Sequence, residues 1–341
     1  MIDFRYHIVS LIAVFLALAV GIVLGAGPLQ QPIGEQLSEQ VEQLRQEKED
    51  LRIDLEASQG LVERQRTFID ASSGRLLSEA LTDVSVAMVT LAGANSTLTE
   101  SLVTMIDRAG GAVVANVALT AAWVDADSQE TRDDLAQEVG PQLSPPAPLD
   151  ATTNMVLGRA LDQVLTTPPA DNGSVPPVLP QVYADLLAAG LITEVVAPAM
   201  PADVVLVVAP APGDSADDLE NELQTVIGMG GGVVLAGDDS DGAATDLVSM
   251  VRANATAASL VTTVDSTEEI AGQVLVPLAV QVVAFERQVG HYGLASDATA
   301  IVPPVVQRPE EPEDATGDSA EVPTTDPATD DAVDSPTEEP S

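Results

Sequence analysis

Residues 204–237, VVLVVAPAPGDSADDLENELQTVIGMGGGVVLAG, run from an apolar pentad through a loop and an amphipathic stretch to a second apolar run closed by glycine. Strands buried on both faces read as continuous Val/Leu runs, and two of them joined by a helix form the βαβ unit of a parallel sheet. This predicts strands at residues 204–208 and 233–236 around a helix over 216–227. Gly228, Gly230, Gly231 and Gly232 follow that helix and precede the second strand. A phosphate cradle needs the reverse order, with the anion at a helix N-terminus, so these glycines are expected as helix cap and turn.

The same rhythm extends in both directions. Upstream, residues 84–91 and 112–118 read as strands around a helix over 96–109. Downstream, a helix over 243–253 leads to a last strand at 260–264 and an apolar closing helix over 267–288. Residues 119–200 interrupt the alternation with helical pieces near 129–139, 154–165 and 181–191, set between the proline-rich loops 141–148 and 168–180. The expected class is α/β: a doubly wound, mostly parallel sheet domain over residues 81–305 with a helical insertion at 119–200.

Residues 8–29 carry no charge, and Ser10 is their one clearly polar side chain. At about 1.5 Å per residue they span roughly 33 Å as a helix, enough for a hydrocarbon core of about 30 Å. They are expected as a transmembrane helix in contact with the lipid bilayer. A cleaved signal peptide competes, but its apolar run is usually about 7 to 15 residues, and Pro28 follows the cleavage-like pair Gly25 and Gly27. Arg5 and His7 precede the span, while the next ionisable residue beyond it is Glu35. That asymmetry places residues 1–7 in the cytoplasm and the α/β domain outside it. Gly21 and Gly25 form a G-x-x-x-G pair that lets two spans approach closely, although small residues are common in membrane helices generally.

Gly27, Pro28, Pro32 and Gly34 are expected to break the helix after the span. From there residues 35–72 place Leu37, Val41, Leu44, Lys48, Leu51, Leu55, Val62 and Ile69 at heptad a and d positions. This is the seam of a coiled coil, predicting a parallel homodimer in which Glu47 at g faces Arg52 at e of the second copy. Lys48 at a disfavours larger bundles because its ammonium must escape the seam. The alternative is one amphipathic helix folded back on the domain.

The 341 residues carry a net charge of −40 and no cysteine. Nucleic acid is excluded as a partner by the charge, and disulfides and thiolate metal sites by the absent cysteine. Residues 309–341 hold six prolines, twelve acids, no base and no aromatic; such a tail cannot bury enough apolar surface to offset its chain entropy and is expected to be disordered.

Ligands of open α/β sheets bind where strands end and helices begin, which here means the loops 92–96, 209–215, 237–241 and 265–267. None carries a nucleophile beside a histidine, and the single lysine, Lys48, supplies no phosphate-loop lysine; no enzyme activity is expected. Asp238, Asp239 and Asp241 could hold a hard cation or simply cap the following helix. His291, with Tyr292, could ligate a metal or serve as a hydrogen-bonding residue in its glycine-flanked loop.

The opening MIDFRYHIVSLIAVFLALAVGIVLGAGPL, the heptads behind it, GGGVVLAG at 230–237 and GHYG at 290–293 together resemble the MctB family of copper transporters over about residues 1–305. The resemblance implies a cell-envelope protein, described as channel-forming in the outer membrane, that lowers intracellular copper, with the copper ion as the transported or sensed species. The residues themselves do not fit a membrane barrel. Such a barrel needs strands of about ten alternating residues and aromatic girdles, whereas residues 81–308 hold only Trp123, Tyr183, Phe285 and Tyr292 as aromatics. A second reading therefore stands beside transport: an anchored dimer whose exterior domain is a binding or scaffolding module.

Overall fold

Every residue of the pentad Val204–Val208 is buried, because the strand lies inside a sheet with parallel neighbours on both edges and a core on both faces. The computed structural model describes residues 4–25, 30–168, 178–211, 215–238 and 246–306. Its strands are β1 Ser85–Thr90, β2 Ala112–Leu119, β3 Ile192–Val196, β4 Val204–Val208, β5 Val233–Ala236, β6 Val261–Val264 and β7 His291–Tyr292. They form one open sheet in the order β3-β2-β1-β4-β5-β6-β7. All neighbours are parallel except β2 and β3, which run antiparallel.

Alternate strand residues feed two separate cores. Ala87, Val89, Val205, Val207 and Leu235 point to one face, where they meet helices α4 Gln129–Val139, α5 Thr153–Thr166, α6 Val178–Ala188, α7 Ala216–Met229, α8 Leu247–Ala253 and α9 Ala255–Leu260. Val86, Met88, Leu206 and Val234 point to the other, covered by α3 Ser96–Arg108 and α10 Ile270–Glu286. Residues 119–200 contribute more than helices. β3 went unforeseen because only Ile192 of its five residues is buried, so ITEVV lacks the continuous burial that marks the central strands.

Gly228 departs from the turn role expected of it. It lies inside α7, where an added Cβ would fall 2.2 Å from the Met155 carbonyl oxygen, and Gly158 of α5 meets the Thr225 oxygen at the same distance. The two helices cross with backbones in contact. Gly230 is the actual cap, at φ 82°, a conformation glycine adopts without steric cost.

The apolar N-terminal helix, α1 Phe4–Gly25, begins four residues before the expected span and has no buried residue. It is long and apolar enough to cross a membrane, and among the described residues no other helix passes that test. Residues 26–29 lie outside the described residues, so the expected break at Gly27 and Pro28 is not addressed there. The break at Pro32 and Gly34 does not occur: α2 runs without interruption over Gln30–Leu76. Pro32 sits in its first turn, where a helix has no use for the missing N–H.

α2 is exposed along the stripe Leu37, Val41, Leu44, Leu51, Leu55 and Val62. Its last turns behave differently. Ile69 packs against the core beneath α10, Ser73 and Leu77 are buried, and the pairs Arg66–Glu269 and Asp70–Arg108 flank the contact. Ile69, expected at an a position of the seam, is thus partly buried against its own domain. The expected acidic tail at 309–341 lies outside the described residues.

Candidate functional site

Described residues from all four loops expected to carry ligands line one crevice. β1 and β4 are sheet neighbours, yet the chain leaves β1 toward β2 on one side and leaves β4 toward β5 on the other. Loops that part in this way leave a crevice beyond the carboxyl ends of the strands. Here it measures about 320 Å³ and is lined by Asn95 and Thr97 after β1, Pro210 after β4, Asp238 after β5, and Thr267 and Glu268 after β6.

Each side chain is placed by a local rule. Asn95 caps α3 by accepting from the Thr97 N–H at 2.9 Å, leaving its amide nitrogen as a donor. Asp238 accepts from the Glu268 N–H at 2.9 Å. Burial pushes the Asp238 carboxyl above the usual carboxylate range, and the nearby Glu268 charge adds to the effect against the backbone hydrogen bonds that oppose it. The crevice is therefore acidic and presents amide and hydroxyl groups. It suits a small polar or cationic guest better than an anion. Asp239 and Asp241 lie outside the described residues, so their joint action with Asp238 is not addressed. Among the described residues no three His, Cys, Asp or Glu side chains converge as a metal-binding group.

His291 lies on β7, two strands away from Asp238 at the end of β5. The structure does not bring the two together. The His291 Nδ1 lies 3.0 Å from the Thr263 hydroxyl. Burial and the Arg252 charge both hold its pKa below the ordinary histidine value. A cation already stands beside this ring.

Around that cation is a cluster the sequence did not announce. Arg252, on α8, is buried and donates to Asp265 at 2.8 Å, Asp297 at 2.6 Å, the Thr263 hydroxyl at 2.9 Å and the Tyr292 carbonyl at 3.0 Å. Asp265, fully buried, also accepts from the N–H groups of Leu294 and Ala295 and from the Ser266 hydroxyl. The glycines of GHYG belong to the same clamp. A Cβ on Gly293 would fall 2.1 Å from the Asp265 carboxyl carbon, and one on Gly290 would fall 2.2 Å from the Tyr292 hydroxyl oxygen. The motif holds the chain after α10 against β6, and the separation of thirteen positions between Arg252 and Asp265 conceals the pair in the sequence.

Comparison with known proteins bears on the whole assembly. The family model described as "Copper transport outer membrane protein, MctB" matches residues 1–303. Proteins named Copper transporter MctB from Mycobacterium tuberculosis and Mycobacterium bovis are each 28% identical over 320 residues, covering 88% of this chain and 99% of theirs. The Mycobacterium leprae protein of the same name is 27% identical over 326 residues, 89% of this chain and all of its own.

Proposed function

Because the chain belongs to the MctB family of copper transport outer membrane proteins, we propose that it works in copper efflux or copper homeostasis in the cell envelope. The observation that carries this is the extent of the match, which takes in the apolar helix, the long α2 and the α/β domain together. In this reading α1 anchors the chain in a bilayer, and the domain, doubly wound about its sheet, stands outside the cytoplasm. α1 and α2 pair two copies in parallel. The G-x-x-x-G face of α1 and the exposed a and d residues of α2, with Glu47 opposite Arg52 of the second copy, support that pairing.

The role we assign is non-enzymatic. In the crevice the described polar side chains are amides, hydroxyls and carboxylates, set among Leu98, Ala209, Pro210 and Ala211, with no histidine among them to act as base for a nucleophile. Copper is the cargo or signal in this proposal, and no residue is assigned as its ligand. Deleting the gene is expected to raise cell-associated copper and sensitivity to added copper, with both restored by the full-length chain. Unchanged copper content and tolerance would overturn the transport reading.

A second reading is favoured by the clamp and by the docking of α2. Arg252 fixes the end of the domain, and Arg66 and Arg108 fix the domain on its rod. The domain is thus tied to α2 by side-chain contacts, as a scaffold requires. Its test is a variant lacking residues 81–306 but retaining the span and rod. Full copper tolerance in that variant would show that the domain is dispensable.

A further inference from the structure

We infer that the contact between two copies of α2 changes faces at Gly60, passing from the heptad seam Leu37–Val62 to a second face made by Leu61, Arg64, Gln65 and Phe68. The inference rests on the parallel pairing proposed above and specifies where the second copy lies. In a parallel two-stranded coil, residues at a meet across the twofold axis. Ile69 falls on the same line as Val41, Leu55 and Val62, yet it packs on the core under α10 of its own chain. The flanking pairs Arg66–Glu269 and Asp70–Arg108 hold that contact in place. At Ile69, then, the domain takes part of the space that a partner helix on the a/d line would fill. The partner must step aside.

The sequence provides a place for it. Leu61 precedes Val62, and Phe68 precedes Ile69, by one residue, which is about 100° of rotation round the helix. Leu61, Arg64, Gln65 and Phe68 stand at i, i+3, i+4 and i+7, the spacing of a helix-packing face. Leu61 is 50% exposed and Phe68 73% exposed, with an open hollow of about 370 Å³ lined by Arg64, Gln65, Phe68 and the part of Ile69 that its own domain leaves open. Gly60 stands at the switch and adds no bulk of its own.

Two observations commit this face to a second copy of the chain. It is continuous with the exposed stripe that begins at Leu37 on an unbroken helix. The charges along that stripe are also self-complementary, Glu47 at g matching Arg52 at e in a parallel pair. An isologous contact then brings each Phe68 toward the same face of the other copy.

The chain contains no cysteine, so single cysteines can be placed in the full-length protein in membranes and joined by oxidation, which requires Cβ atoms about 4 Å apart. Leu44→Cys, Phe68→Cys and Ser72→Cys are the informative set, with a short bis-maleimide as a second crosslinker. Covalent dimer from both Leu44→Cys and Phe68→Cys, with Ser72→Cys remaining monomeric, supports the switch of faces. Dimer from Leu44→Cys and Ser72→Cys but not from Phe68→Cys overturns the switch and leaves the pairing intact. Monomer from Leu44→Cys overturns the parallel pairing and the switch with it.

Discussion

Asp162 on α5 is the titrating group with the most direct consequence. Burial raises its pKa to about 7, only partly opposed by the Arg159 charge. The folded value lies above the ordinary 3.8, so the native state keeps a proton that the unfolded chain releases. The contribution of this group to stability is then fullest below about pH 4 and is lost as pH rises toward 7. Asp162→Asn removes the charge and keeps the shape. It should leave stability near pH 4 almost unchanged, flatten the decline, and add up to about 4 kcal/mol at pH 8. Thermal melts of both proteins across that range check the slope; parallel curves would mean the carboxyl is hydrated. Asp162 shows how burial, rather than any motif, makes a residue distinctive. Asp265 is distinctive through its partners instead: its buried carboxylate accepts from Arg252 and three further donors.

Among elements, the crossing of α5 and α7 gives the sharpest contrast between propensity and contact. In an isolated helix, Gly→Ala gains about 1 kcal/mol. Gly158→Ala should instead destabilise the protein by a few kcal/mol, because its new methyl group would meet the Thr225 oxygen at 2.2 Å. Gly228→Ala should do likewise against Met155. Chemical denaturation reads the sign, and a gain at either site would place the helices further apart. The same contrast explains what the sequence disclosed. β1, β2, β4, β5 and β6 are legible because two-sided burial writes itself as continuous Val, Leu and Ala, and the crevice loops follow from where those strands stop. β3 is exposed on four of its five residues and β7 has only two, so neither carries that signature. Gly228 reads as a turn because its reason lies on another helix. In the candidate site, Asp238 was visible as the residue at a strand's end. Asp265 was visible in the same way, at the end of the last central strand, but its pairing with Arg252 was not, since that exists only after β6 and α8 are packed.

At the scale of the whole chain, α1 is exposed on every side, whereas the described strands form a sheet covered by helices on both faces. By length and composition α1 could therefore span a bilayer, whereas polar loops and exposed acids such as those of the α/β body are costly in hydrocarbon. The charge asymmetry about the span predicts that residues 1–7 face the cytoplasm, whereas an outer-membrane address would leave both sides of the span outside it. Single cysteines separate these cases. Ser78→Cys, on an exposed residue just after α2, should react with a membrane-impermeant maleimide in cells whose outer envelope has been opened. Asp3→Cys should react only after the inner membrane is permeabilised. Labelling of both before permeabilisation would put the span in the outer membrane, and labelling of Asp3→Cys alone would invert the topology. Alkaline extraction adds an independent check: the full chain should remain with the membranes, while a chain starting at Gln30 should be released, because nothing described beyond α1 is long and apolar enough to hold it there.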